Sequence, residues 1–257
     1  MSRIYDALKK AERRPAAGSA APPVNGRATI DDGRDVDGDT RLEYERIQMW
    51  LTNRSPDTPP MQAVMIASCR RGHGATTTAA GVAATLARRP AARVLIVDAN
   101  LRTPGLDQLF GARNRAGFSE LLNSSNGGGE YIQPTTQPNL FVLTTGQTSG
   151  SAPGIFSPAA LARLVAYLKS SFDFIVFDAS PLLDFPDCYA LVPHVDAVVL
   201  VVEADRTLVD DARRALRELE RSGARAAGVV LNRQRDYTPR LLRRTLFRTN
   251  GSRPLPS

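Results

Sequence analysis

The sequence predicts an α/β domain with a mostly parallel central sheet and helices on both faces, and three observations predict it. Near-continuous Val/Ile/Leu runs alternate with helical stretches from Met61 onward. A glycine-punctuated loop, Ser68-Cys-Arg-Arg-Gly72-His-Gly74-Ala-Thr-Thr77, joins the first run to the first helix. Carboxylates close two further runs, Val-Leu-Ile-Val-Asp98 and Phe-Ile-Val-Phe-Asp178.

In chain order, Ile4, Tyr5 and Leu8 fall at helical spacing, so residues 1–14 read either as a short amphipathic helix for a partner or as a frayed terminus. Residues 15–39, rich in Pro, Ala, Gly and Asp, read as a flexible linker. A helix over Thr40 to Leu51 opens the main domain, taken as 40–235. Strands are expected at Ala63–Ser68, Val94–Asp98, Leu140–Leu143, Phe174–Phe177, Ala197–Val202 and Ala227–Leu231. Helices are expected at Thr76–Arg88, Pro158–Ser170, Pro186–Val192 and Leu208–Ser222. Asn123 to Glu130, with three consecutive glycines, reads as a mobile surface loop. Residues 236–257 form a basic tail.

A chain of 257 residues with 42% apolar content suffices for one such domain with extensions. Cys69 and Cys188 have no metal-like spacing and read as small buried hydrophobes in a reducing compartment. No apolar run approaches the roughly 20 residues that cross a bilayer, and the start lacks the apolar core of a signal peptide. The expected location is the cytoplasm, with peripheral contact at the inner face of the membrane if the tail docks there. The net charge of +7 is concentrated: Arg233 to Ser257 holds seven arginines against Asp236 alone. Leu241, Leu242, Leu246 and Phe247 interleave with those arginines. The tail therefore reads as a solvated end, as an amphipathic contact for anionic lipid, or as a nucleic-acid contact.

In parallel α/β sheets ligands bind beyond the carboxyl ends of the strands, which puts the chemistry at Ser68, Asp98, Asp178 and Asn232 onward. Gly72 and Gly74 permit the tight turn that aims backbone N–H groups and a helix N-terminus at an anion. Asp98 and Asp178 converging on Thr76 would suit Mg²⁺, which is held by one or two carboxylates together with phosphate oxygens. A working loop of this kind follows its last glycine with Lys and Ser/Thr. Here Ala75 takes the lysine's place, and Lys9, Lys10 and Lys169 are too far along the chain to replace it locally.

Gly72-His-Gly-Ala-Thr-Thr, Asp98-Ala-Asn-Leu-Arg-Thr-Pro104 through Phe110, Gly117-Phe-Ser-Glu-Leu-Leu122, Phe177-Asp-Ala-Ser-Pro181 through Asp187, and Gly228-Val-Val-Leu-Asn232-Arg233 occur in order. This ordered set resembles the bacterial tyrosine kinases (BY-kinases) of capsule and exopolysaccharide biosynthesis, P-loop NTPases related to the ParA/MinD type. The resemblance implies ATP and Mg²⁺ as cofactors and a membrane-embedded polysaccharide co-polymerase or chain-length regulator as partner. It implies a nucleotide site of Gly72, Gly74, Ala75, Thr76, Thr77, Asn100, Arg102 and Asn232, with Asn232 on adenine. Thr76, Asp98 and Asp178 would hold Mg²⁺, and Asp98 would be the catalytic base.

The chain departs from that pattern at four places. Ala75 replaces the phosphate lysine, Asn100 replaces a second Asp, Met49 ends a Glu43-x-x-Arg46-x-x-Met49 assembly motif that usually ends in Arg, and the tyrosine-rich tail is missing. No oligomeric state follows from the sequence. Arg70 or Arg71 could offer a guanidinium to phosphate from the loop's start. His73 reads as filler, His194 as structural, Trp50 as packing, and Arg102 equally as a surface ion-pair residue. The expected function is a catalytically impaired, BY-kinase-like regulator. An active protein-tyrosine kinase and a ParA/MinD-like positioning ATPase are the alternatives, and membrane fits the tail better than nucleic acid.

Overall fold

A computed structural model describes residues 38–52, 61–123, 129–147, 157–224 and 227–234. The apolar runs become β1 (Ala63–Ser68), β2 (Val94–Ala99), β4 (Leu140–Leu143), β5 (Phe174–Ala179), β6 (Ala197–Glu203) and β7 (Ala227–Asn232), all parallel. A two-residue strand, β3 (Gln133–Pro134), adds an antiparallel edge, and the order across the sheet is β3-β4-β2-β5-β1-β6-β7.

Alternation along the strands supplies two cores. Met65, Leu95, Ile175, Phe177 and Leu200 face α4 (Phe118–Asn123), α5 (Pro158–Ser171), α6 (Val209–Arg221) and a 3₁₀ segment over Pro186–His194. Val64, Ile66, Ile96, Val176 and Val199 face α2 (Ala75–Leu86), α3 (Leu106–Phe110) and α1 (Gly38–Thr52). Burial on both faces is why these strands read as unbroken apolar runs.

α1 is the outermost layer. Tyr44 is fully buried and donates its hydroxyl to the Thr77 carbonyl at 3.3 Å, and its ring fills the space left by Gly81 of α2. Met49, at the end of the Glu43-x-x-Arg46-x-x-Met49 motif, is exposed, and Arg46 pairs with Glu43 on the same helix at 3.0 Å. Trp50 lies against Gly228 of β7 but stays 38% exposed, so it packs with one side only.

The differences from the expected elements are local. β3, α3, α4 and the 3₁₀ turn Gly129–Tyr131 are two to six residues long, too short to show a period in the sequence. α2 starts one residue earlier than expected and ends at Leu86, where Arg88 N–H turns back to the Thr85 carbonyl. α1 begins at Gly38, two residues inside the expected linker, while residues 1–37, most of the Asn123–Glu130 stretch and the tail lie outside the described residues. Among the described residues no helix is long and apolar enough to cross a membrane.

Candidate nucleotide site

The loop leaving β1 turns through two left-handed glycines, Gly72 (φ 84°) and Gly74 (φ 90°), a conformation that L side chains rarely adopt. At Gly74 a side chain is excluded twice, because a Cβ there would also overlap the Asn232 amide. α2 begins immediately after, with neither a side-chain cap nor an acidic residue in its first turn. Its leading N–H groups therefore have no intrahelical partner and present the positive end of the helix to an anion. Ala75 is the first residue of that helix and only 7% exposed.

Asp98 and Asp178 are register partners on the neighbouring strands β2 and β5, and both are 0% exposed. The two carboxylates have different occupations. Asp98 accepts from Asn100 N–H at 3.1 Å through one oxygen, and from Gly105 and Leu106 N–H at 3.1 and 3.0 Å through the other. It thereby closes the loop after β2 onto α3. Burial pushes its pKa up to about 6 against those three donors. Asp178 has no hydrogen-bond partner on either oxygen. Burial first, and the neighbouring Asp98 charge second, raise it well above the carboxylate range; the Thr76 hydroxyl is near enough to favour the ionised form but completes no hydrogen bond.

A fully buried carboxylate with two orphaned oxygens is the environment a cation would complete. Among the described residues no three His, Cys, Asp or Glu side chains form a metal cage. This donor set, one orphan carboxylate beside a threonine and an anion cradle, fits Mg²⁺ shared with phosphate oxygens better than a metal held by protein alone.

Other residues singled out in the sequence are engaged in holding this site together. Asn100 accepts from Ser180 Oγ at 2.9 Å and from Thr103 N–H at 3.1 Å, so it bridges the loops after β2 and β5 with a neutral amide beside two carboxylates. Asn232 donates Nδ2 to the His73 carbonyl at 2.9 Å and accepts from Arg233 N–H, bracing the loop from β7. Arg102 pairs with Asp187 and lies over the Phe185 ring, the ion-pair alternative for this residue. Thr77 gives its carbonyl to Tyr44.

The Arg70 guanidinium at the loop's start is committed away from the cradle. Arg70 is held by both oxygens of Asp211 at 3.0 Å and by Asp184 at 2.9 Å, and Arg71 N–H binds the other Asp184 oxygen at 3.0 Å. Asp211 sits in the first turn of α6, so this clamp ties the loop's start to that helix. His73 is buried, and its Nδ1 lies 3.2 Å from Thr207 Oγ. Burial lowers its pKa, which keeps the ring neutral near neutral pH.

Sequence reading missed Asp184, Asp211, Glu203, Arg206 and Thr207. Glu203 carried the same signal as Asp98, a carboxylate ending an apolar strand, and was the one member of that group passed over. Asp184, Arg206 and Thr207 lie between elements and Asp211 at the start of α6, and all four reach the loop only through tertiary structure.

No protein-family model matches the chain. The tyrosine-protein kinase YwqD of Bacillus subtilis is 28% identical over 190 residues, covering 74% of this chain and 79% of that protein. The tyrosine-protein kinase CpsD of Streptococcus agalactiae is 27% identical over 169 residues, covering 65% and 73%. Among solved structures, the VpsO kinase domain superposes with a TM-score of 0.68 at 28% identity over 76% of this chain and 95% of that one. The chimerical protein CapA2B2 superposes with a TM-score of 0.72 at 26% identity over 81% and 94%. The Mg-ADP complex of MinD from Pyrococcus horikoshii, at 21% identity and a TM-score of 0.56 over 73% and 77%, shares the fold. The chain's homologues are thus bacterial tyrosine-protein kinases, and its structural neighbours are BY-kinase domains and ParA/MinD-type P-loop ATPases.

Proposed function

We propose that this protein, whose relatives are bacterial tyrosine-protein kinases, is a BY-kinase-like cytoplasmic component of capsule or exopolysaccharide biosynthesis that binds nucleotide and transfers phosphate poorly. It acts as a regulator beside a membrane-embedded polysaccharide co-polymerase. The observation that carries the reading is at Ala75. The first residue of α2 is a buried alanine, and the arginine best placed in sequence to compensate, Arg70, is committed to Asp184 and Asp211. Loss of one preorganised donor to transition-state charge costs about 3 kcal/mol, on the order of a hundredfold in rate. Bound Mg²⁺ would supply charge neutralisation for a nucleotide's phosphates. Thr76 and Asp178 are the residues that would hold it, with Asp98 ordering the loop behind them.

Asp178 also supports a second reading, an active tyrosine kinase, because its orphaned oxygens keep the means of binding a metal. A titration with Mg·ADP and a phosphorylation assay with Mg·ATP, on the native protein and on Ala75→Lys, separate the two. The expected result is measurable Mg·ADP binding by both proteins, little tyrosine phosphate with the native chain, and a rise of tenfold or more with Ala75→Lys. Efficient phosphorylation by the native protein would establish the second reading in place of the first.

The basic tail, outside the described residues, is proposed to rest on anionic lipid. Sedimentation with phosphatidylserine vesicles is expected to bring down the full chain at low salt and release it at high salt, as contacts from arginines are screened. A chain ended at Gln234 should stay in the supernatant. Failure of the full chain to sediment at low salt removes the membrane contact from the proposal.

A further inference from the structure

From the geometry around Gly72 we infer that Arg206 gives the bound phosphate the positive charge that Ala75 cannot. The inference rests on the reading that the loop binds a nucleotide. Arg206 stands in the turn between β6 and α6, and its Nη1 lies 3.7 Å from where a Cβ on Gly72 would be. A Cβ there would rest in ordinary van der Waals contact with the guanidinium, so it is the left-handed φ of 84°, not crowding by Arg206, that calls for glycine.

Three contacts fix this turn to the loop. Asn232 Nδ2 binds the His73 carbonyl, and Ala204 N–H binds the Asn232 carbonyl at 2.9 Å. Thr207 Oγ accepts from Glu203 N–H at 2.7 Å and faces His73 Nδ1 at 3.2 Å. The Thr207 hydroxyl can accept from Glu203 N–H and still share a hydrogen bond with His73 Nδ1, whose direction follows the tautomer of the ring. The turn and the loop therefore move as one piece, and Arg206 is carried at a set distance from the cradle.

Its tether is of the kind that can be exchanged. Glu203 holds two arginines, Arg233 through Oε1 at 2.7 Å and Arg206 through Oε2 at 3.2 Å. The Arg206 side chain is 60% exposed, against 33% for Arg233. If Arg206 turns to a phosphate, Arg233 remains to neutralise the Glu203 carboxylate, so the move strands no charge. Arg70 has no such freedom, since leaving its site would expose two carboxylates, Asp184 and Asp211, to each other. A guanidinium also suits the task because it binds phosphate through paired donors.

Calorimetric titration of the full chain with Mg·ADP and with pyrophosphate tests the assignment, using native protein, Arg206→Ala and Arg206→Lys, each checked for an unchanged melting temperature without ligand. Arg206→Ala is expected to weaken both ligands tenfold or more, and Arg206→Lys by less than threefold. The slope of log affinity against log salt should fall by about one in Arg206→Ala, as for any lost phosphate contact. Native pyrophosphate affinity in Arg206→Ala overturns the inference and leaves the nucleotide site standing. Weakened binding with an unchanged salt slope also overturns it, because it marks a role in shaping the loop only. A native protein that binds neither Mg·ADP nor pyrophosphate overturns the inference and the nucleotide site together.

Discussion

Asp178→Asn is expected to raise the melting temperature of the ligand-free protein and to abolish its stabilisation by Mg·ADP. The native carboxylate is fully buried with neither oxygen hydrogen-bonded. Replacing it with an amide of the same shape relieves about 2 kcal/mol of desolvation penalty, roughly 4–8 °C for a domain of this size. The pH dependence follows from the sign of the shift. A carboxyl whose folded pKa lies above its unfolded value near 4 holds more protons folded than unfolded between those two pH values. Its contribution to stability is therefore lost as pH rises through that window. Asp98 spans the window from near 4 to about 6, and Asp178 extends it upward. These two carboxyls should withdraw stability from the ligand-free protein between pH 4 and neutrality, against the opposite trend of His73, Glu203 and Asp211, and Asp178→Asn should remove its part of that withdrawal. Scanning calorimetry from pH 4 to 8, with and without Mg·ADP, reads both effects. A variant less stable than native at pH 7, or one still stabilised by Mg·ADP, would contradict the assignment of Asp178 as the cation-facing carboxylate.

Gly81→Ala should destabilise the protein although it improves helix propensity. In an exposed helix this change stabilises by about 1 kcal/mol. Here the added Cβ would overlap the Tyr44 ring, which is fully buried and cannot slide aside. Overpacking at such a site costs about 3 kcal/mol, so the clash outweighs the propensity gain. The expected outcome is release of α1, read as faster hydrogen exchange over residues 38–52. A red shift of Trp50, the chain's single tryptophan, should accompany it, since Trp50 leaves Gly228 when α1 lifts. Removing the ring as well tests the cause. Gly81→Ala with Tyr44→Ala should cost clearly less than the sum of the two separately, because the truncated side chain no longer meets the new methyl. Additive costs would mean that the two residues do not meet as described.

The central strands were legible because each is buried on both faces and therefore carries an unbroken apolar run whose end is marked by the first polar residue. The same marking exposed Ser68, Asp98, Asp178 and Asn232 as strand-end groups. The alanine in the loop was equally plain, since the glycines around it set the register of the whole motif. Partnerships across the sheet were not legible. Nothing near Arg70 announces Asp211, which is 141 residues away in sequence. Nor does the sequence around Gly81 announce the Tyr44 ring that fills its place. Arg206 belongs to a turn with no periodicity, and its meaning comes from Asn232 and Thr207 fastening that turn to the loop. Elements shorter than two helical turns, α3 and α4, escaped for the plainer reason that a period needs repeats to be seen.

The position of β1 within the sheet has a consequence for how the molecule is made. β1 is flanked by β5 and β6, and Ala63 finds its register partner Ile175 about 110 residues later in the chain. At a synthesis rate of about 5–20 residues per second, the Ala-Val-Met-Ile-Ala strand waits on the order of 10 s with both edges open. β2 can meet β4 sooner, but the floor of the nucleotide site needs Asp178 beside Asp98 and so needs β5. The newborn chain thus passes through a long interval in which an apolar strand destined to be fully buried is complete and unpaired. During that interval its solubility depends on what else in the cell shields the strand, and the phosphate loop it carries has no sheet to stand on.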